Sequence, residues 1–225
     1  SSAASDVYKR QGQFILTGSA TPNHKGIMHS GAGRIARLRM RPMSLYESGA
    51  SSGKVSLQEL CAGRLTPAMT GEVDLRQIIE LIVRGGWPAN LDTPIAQASL
   101  LSTEYLEAVI SDDAYRIDGI KRDVRKMRLL LHSLARNEST TATNRKLKND
   151  IKEIDAEDID VETVAAYLDV FNRLFLLDNQ PPYATKIRSS VRVKQAEKRH
   201  FADPSLACAP VSYTHLRAHE TDSYL

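Results

Sequence analysis

Apolar residues recur along this chain at different periods, and the changes of period divide it. Phe14-Ile15-Leu16 is a short apolar run bounded by Gly and Pro, the pattern of a buried strand. Over Ile35 to Met40 apolar and basic residues alternate. That predicts a strand with one buried face, ended at Pro42 because proline has no N–H for a ladder. From Ser56 onward the period is helical. Ser56-Leu57-Gln58-Glu59 has the form of a capping box and starts a short helix ending by Gly63. Asp74 caps a helix with Leu75, Ile78, Ile79 and Ile82 on one stripe, stopped by Gly85-Gly86. Pro94 opens a helix running to about Ser111, with Leu100, Leu101, Leu106, Val109 and Ile110 on its apolar face.

The helical period is strongest in the second half. Lys121 to Arg136 places Val124, Met127, Leu130, Leu131 and Leu134 inward, and Ser139–Thr143 breaks it. Asn144–Ile151 is a second helical piece. Asp160 caps a third, Val161–Leu174, with Val164, Tyr167, Leu168, Phe171 and Leu174 on one face. Phe175-Leu176-Leu177-Asp178 follows as a short extended run, and Asn179-Gln180-Pro181-Pro182-Tyr183 turns the chain. A long helix, a short one, a turn, a third helix and an extended run is the order of a winged helix-turn-helix.

Composition changes this picture little. The chain is 42% hydrophobic and 25% charged with a net charge of +3, ordinary globular material. No apolar run approaches the roughly 20 residues needed to span a bilayer, so a cytoplasmic, membrane-free protein is expected. Cys61 and Cys208 sit among apolar neighbours and read as buried thiols. His24, His29, His132 and His200 show no metal-ligand spacing, and no metal site is predicted.

Charge becomes informative only locally. Between Ala184 and His200, Lys186, Arg188, Arg192, Lys194, Lys198 and Arg199 face Glu197 alone. These six are the candidate nucleic-acid contacts, because clustered cations neutralise phosphates. By contrast the third helix offers Glu162, Asp169 and Arg173 at expected exposed positions, a net negative face. Asp112 and Asp113 diverge by about 100° on a helix; with Asp118, Asp123, Arg116 and Arg122 they read as a solvated charge network. Arg116 and Arg122 are candidate phosphate or interdomain contacts. Trp87 reads as a packing anchor at a domain edge.

The succession of FILTGS, GRIARLRMRPMSLYE, RGGWP, DDAYRIDGIKRD and FADPSL resembles a family of prokaryotic AAA-type ATPases. In that family a P-loop module is followed by a winged helix and a restriction-endonuclease-like domain. The resemblance implies a mixed α/β, mostly helical chain, with the tail of a P-loop module leading into a helical region and a winged helix-turn-helix. The implied divisions are residues 12–47 for the last ATPase strands, 48–120 for a helical lid or connector, 121–200 for the winged helix, and 201–209 for the entry to the nuclease-like domain. It implies Ser19 as the sensor-1 polar residue with Thr17 second, both candidates for orienting a phosphate or a water, and Arg34 as a cofactor-binding residue. Standing alone, Thr17-Gly18-Ser19 fits hydroxyls closing a turn better than a phosphate-orienting role.

The sequence departs from that family in one respect that matters. No G-x-x-x-x-G-K-[ST] loop and no apolar strand ending in a metal-binding Asp occurs in it, so ATP and Mg²⁺ are expected in a full-length parent and no cofactor in this chain. The two ends, Ser1–Gln11 and Val211–Thr221, resemble translated sequencing-adapter sequence of opposite polarity, with 222–225 in the same tail. Residues 1–11 and 211–225 are thus expected to be foreign and the protein to be an internal fragment. Three readings follow: an inactive ATPase fragment whose parent is expected to meet protein partners or self-associate, a winged-helix DNA-binding regulator, and an α/β protein used only for protein contacts.

Overall fold

A computed structural model describes residues 15, 17–20, 36, 38–64, 67, 68, 71, 73–183 and 196–211. The described chain is mostly helical: α1 (Leu57–Cys61), α2 (Leu75–Arg84), α3 (Ile95–Ala108), α4 (Ala114–Arg116), α5 (Val124–Arg136), α6 (Asn144–Ile154) and α7 (Val161–Arg173), then α8 over 204–211. A π-turn, Val109–Asp113, joins α3 to α4, so this helix runs further than its apolar period suggests.

Capping follows the sequence with small departures. Asp74 accepts from Gln77 N–H while the Gln77 side chain accepts from Asp74 N–H, a full capping box on α2. Ser56 accepts from Glu59 N–H, but Glu59 turns to Arg64 instead of closing its box. Asp123 and Thr143 cap α5 and α6, whereas Asp160 holds the N-cap position of α7 without a side-chain bond.

One core gathers α5, α6 and α7. Met127, Leu130, Leu131 and Leu134 of α5 meet Leu147 and Ile151 of α6 and Val164, Leu168 and Phe171 of α7, all at most 5% exposed. Their spacing of three and four residues puts each set on one helical stripe. Leu106, Val109, Ile110 and Ala114 close the core from the π-turned helix, and Leu206 and Ala209 of α8 from the other end.

Extended segments seal its edge. Leu177 pairs with Phe201 and Gln180 with Lys198 in antiparallel bridges. Ser139 N–H donates to Arg199 C=O (2.9 Å) and Arg199 N–H to Thr140 C=O (2.8 Å). Three backbone segments, at 139–140, 177–180 and 198–201, therefore lie side by side against the helices. At the end of α7, Phe175 takes a left-handed φ of 59°. There its N–H bonds to Asn172 C=O and Leu176 N–H to Phe171 C=O, a Schellman closure with Phe where Gly is usual. Arg39 lies over the Phe175 ring at 5.2 Å and donates to Leu177 C=O (2.9 Å), bracing that turn.

The two expected strands do not form among the described residues. Ile15 is 88%, Leu38 97% and Met40 93% exposed in coil. A strand is held by neighbours that take up its backbone groups, and no described segment pairs with these. The cysteine expectation is also corrected: Cys61 is exposed, because α1 buries none of its residues, and Cys208 is half-buried.

Candidate functional site

Three separated stretches meet at Gly85-Gly86. The α2 stripe stops there because Gly85 takes φ +67°, which L side chains avoid. On one side Met43 N–H donates to Gly86 C=O (2.8 Å). On the other, Gly86 N–H donates to Asp203 Oδ2 (2.7 Å). Asp203 Oδ1 accepts from Ser205 N–H (2.9 Å) and Ser205 Oγ–H (2.6 Å). Ser205 Oγ in turn accepts from Trp87 Nε1–H (3.0 Å). A Cβ on Gly85 would overlap the Asp203 carboxylate, and one on Gly86 the Met43 backbone and Pro42. Both positions require glycine for space.

Asp203 is 1% exposed. Its donors are an amide and a seryl group of its own turn plus the Gly86 amide, so its charge is held by hydrogen bonds in place of a cation. Both carboxyl oxygens are engaged, one by the Gly86 amide and one by Ser205, which makes the arrangement a clamp. Trp87 packs against the core and lies 5.3 Å from the Tyr105 ring centroid, the anchor its sequence position suggests. Burial and the Asp203 charge push the Cys208 thiol up, away from the reactive thiolate.

A cavity of about 350 Å³ opens beside this junction, lined in part by Arg41, Arg84, Asp178 and Asp203. Arg41 is paired with Asp178 at 3.1 Å, as is Arg39 at 3.3 Å. Arg84 Nε is buried there without a hydrogen-bond partner.

A second polar knot lies behind α7. Arg122 donates both terminal nitrogens to Asp118 (2.6 and 2.9 Å) and one to Ala114 C=O (2.8 Å). Arg173 reaches Asp118 at 3.5 Å and Ile117 C=O at 3.2 Å. The Asp118 and Arg122 side chains are 11% and 10% exposed, so this part of the expected solvated network is buried. The Arg122 hydrogen bond holds the Asp118 carboxyl below its ordinary range, against the cost of burial. Arg122 is an internal tie between the π-turned helix and α5. Arg116 stays at the surface beside Asp113 (3.6 Å).

The predicted site residues are not brought together. Thr17 and Ser19 are exposed in coil, although neighbouring Ala20 packs on the core edge. Arg34, Lys186, Arg188, Arg192 and Lys194 lie outside the described residues. Lys198 is exposed. Arg199 points inward, donating to Ala142 C=O (3.0 Å) and Asn144 Oδ1 (2.9 Å) at the start of α6. Arg173, expected on an outer face, is spent on the Asp118 knot. The exposed positions of α7 are consequently Glu162, Ala165, Ala166, Asp169 and Asn172. No group of three or more potential metal ligands occurs among the described residues, and no helix among them is long and apolar enough to cross a membrane.

Sequence reasoning missed the role of Asp203, since a lone carboxylate in FADPS signals nothing until its partner turn is known. It also passed over the cations of α6. Arg145, Lys146, Lys148 and Lys152 are plain in the sequence, but only the fold shows which of them face out.

Residues 75–216 match the model of a family described as a domain of unknown function, DUF8612. The match runs across 211–216, residues read above as adapter-like. No curated protein and no solved structure matches the chain.

Proposed function

The chain belongs to the DUF8612 family, and we propose that it is the non-hydrolytic part of an AAA-type ATP-binding protein, a helical connector leading into a winged helix-turn-helix. The observation that carries this reading is the diglycine junction. The stretches quoted for the resemblance, RMRPMS, RGGWP and FADPS, are far apart in sequence, yet Pro42-Met43, Gly85-Gly86 and Asp203–Ser205 converge on one clamp. A motif set whose members touch is one structural device. That device ties the segment after Arg41 to the helical unit, as a relay between an ATPase module and a winged helix requires. The order α5, extended, α6, α7 and two bridged segments supports the winged-helix half of the reading.

With no phosphate loop in its sequence, the chain lacks the amide cradle and lysine that hold a nucleotide's phosphates. Equilibrium dialysis against millimolar Mg-ATP is expected to give no saturable binding and no phosphate release. Turnover by this chain overturns the reading. Sequencing the source locus upstream of Gly12 tests the other half: a phosphate loop in frame supports it, and an upstream frame without one overturns it.

The second reading, a sequence-reading DNA regulator, meets a specific obstacle. Base readout by a helix-turn-helix uses the outer face of its second helix. On α7 that face carries two carboxylates and, among the described residues, no free cation, which a polyanion repels.

A further inference from the structure

We propose that the outer face of α6, with Lys198 beside it, is a contact surface for the phosphodiester backbone of duplex DNA. This rests on the winged-helix reading and reassigns the face that such a module would use.

Six outward positions define the surface: Arg145, Lys146, Asn149, Lys152 and Glu153 along α6, which ends in the exposed apolar Ile154, and Lys198 on the bridged segment. The cations of α6 divide into two sets. Lys148 is paired with Asp158 at 3.5 Å, whereas Arg145, Lys146 and Lys152 form no ion pair among the described residues. Asp150, the other carboxylate of the helix, is turned away into a pair with Arg136 at 2.7 Å. Arg199 joins the two parts of the surface. Its guanidinium bonds to Asn144 Oδ1 and Ala142 C=O, so the backbone segment that carries Lys198 is tied to the end of α6 that carries Arg145 and Lys146.

Charge complementarity selects the occupant. Glu153, Glu197 and the Lys148-paired Asp158 are exposed carboxylates on or next to these segments, against the four exposed cations Arg145, Lys146, Lys152 and Lys198. Nothing acidic stands in the first turn of α6; its two cations occupy the helix end where the backbone dipole repels them. That placement is unfavourable for the helix alone and favourable for meeting an anion. Arg145 and Lys152 are separated by about 10 Å along the axis, so each can meet a different phosphate of a duplex. α7, the adjoining helix, presents Glu162 and Asp169, and the surface therefore has a sharp sign boundary that orients a duplex toward α6.

The test is fluorescence anisotropy of the whole chain with a labelled random-sequence duplex at several salt concentrations. We expect weak, sequence-blind binding that falls steeply with salt. Replacing Arg145→Glu, Lys146→Glu and Lys152→Gln together is expected to weaken binding at least tenfold. It should also flatten the log–log salt slope by roughly two to three, since each lost phosphate contact removes about 0.9. The first two changes suit the helix dipole, so thermal unfolding of this variant should match the parent. Ala166→Glu on α7 is expected to change affinity less than twofold. Unchanged binding in the α6 variant, or a tenfold loss in Ala166→Glu, overturns the proposal. So does polyglutamate of matched charge binding as tightly as the duplex, which would mark an acidic-protein surface. Absence of duplex binding at low salt also overturns it, while the connector reading stands or falls on the nucleotide and locus tests.

Discussion

In α2 the apolar stripe Leu75, Ile78, Ile79 and Ile82 stays between 39% and 71% exposed, whereas in α7 the stripe Val164, Tyr167, Leu168 and Phe171 is at most 7% exposed. Both helices have well-formed apolar faces and similar lengths. What differs is the presence of a facing surface. α7 closes on α5 and α6, whose stripes complete a shared core, while α2 leans on α3 at one edge and buries no residue fully. An apolar stripe states a demand for a partner, and only the fold says whether the partner is supplied. The region after Gly86 thus carries the stability, and the region before it is attached through the diglycine clamp and the Arg39 and Arg41 contacts with Leu177 and Asp178.

The largest test of that division is in the core. Phe171 is fully buried, and Phe171→Ala is expected to destabilise the chain by about 3–5 kcal/mol, the range for a buried aromatic that leaves a cavity. Urea unfolding followed by circular dichroism measures this. A loss under about 1 kcal/mol would mean that the core tolerates collapse and that the contrast with α2 is overstated.

The clamp comes next. Gly86→Ala forces a methyl group into the Met43 backbone, and overpacking of this kind costs about 1–3 kcal/mol. Asp203→Ala leaves the buried Gly86 amide without its acceptor, at about 1–3 kcal/mol. Because Trp87 donates to Ser205 within the same cluster, both variants are expected to shift Trp fluorescence before global unfolding begins. A variant that loses stability with no fluorescence change would show that the two regions are not joined there.

How much of this was legible beforehand follows the same line. α5, α6 and α7 were readable within a few residues, because a stripe such as Met127, Leu130, Leu131 and Leu134 fixes both the period and the buried face. At the strands expected over Phe14–Leu16 and Ile35–Met40 the described positions, among them Ile15, Leu38 and Met40, are exposed coil, for the reason that α2 is exposed: pattern cannot report missing neighbours. The clamp was half visible. Gly85-Gly86-Trp87 stood out as a turn, but Asp203 lies more than a hundred residues away, and one carboxylate has no local signature. The same holds for Arg173 and Arg199, whose charges suggested surface contacts until their carbonyl and carboxylate partners placed them inside. Among the expected nucleotide residues, Thr17 and Ser19 are described only as exposed coil.

Acid titration separates two partly buried groups within the stable region. Burial lowers the His132 pKa, outweighing the neighbouring Asp155 charge. The unfolded chain therefore takes up the proton first, near about pH 6.5. The stability His132 contributes is full above that value and declines as pH falls toward its lower folded pKa. Asp118 is also depressed, chiefly by its Arg122 hydrogen bond, and acts further down. Its contribution is complete above about pH 3.9 and is lost as pH drops through the folded value. His132→Gln is expected to flatten stability between pH 7 and 5 and leave the acid limb, while Asp118→Asn flattens the acid limb. If the two variants titrate alike, the assignments are wrong.

The smallest expected effect is on α2. Ile79 is half exposed, on a helix with no buried residue, so Ile79→Ser removes few contacts and leaves no closed cavity. Surface substitutions of this kind stay within about 0.5 kcal/mol. Ile and Ser have similar helix propensities, so the change acts mainly on solubility, by removing an exposed apolar group. Unfolding midpoints of this variant and the parent chain are therefore expected to coincide, with lower self-association for the variant by sedimentation at high concentration. A loss above 2 kcal/mol would show that the α2 stripe is covered in solution. The boundary at Gly86 would then cease to separate a self-sufficient region from a dependent one.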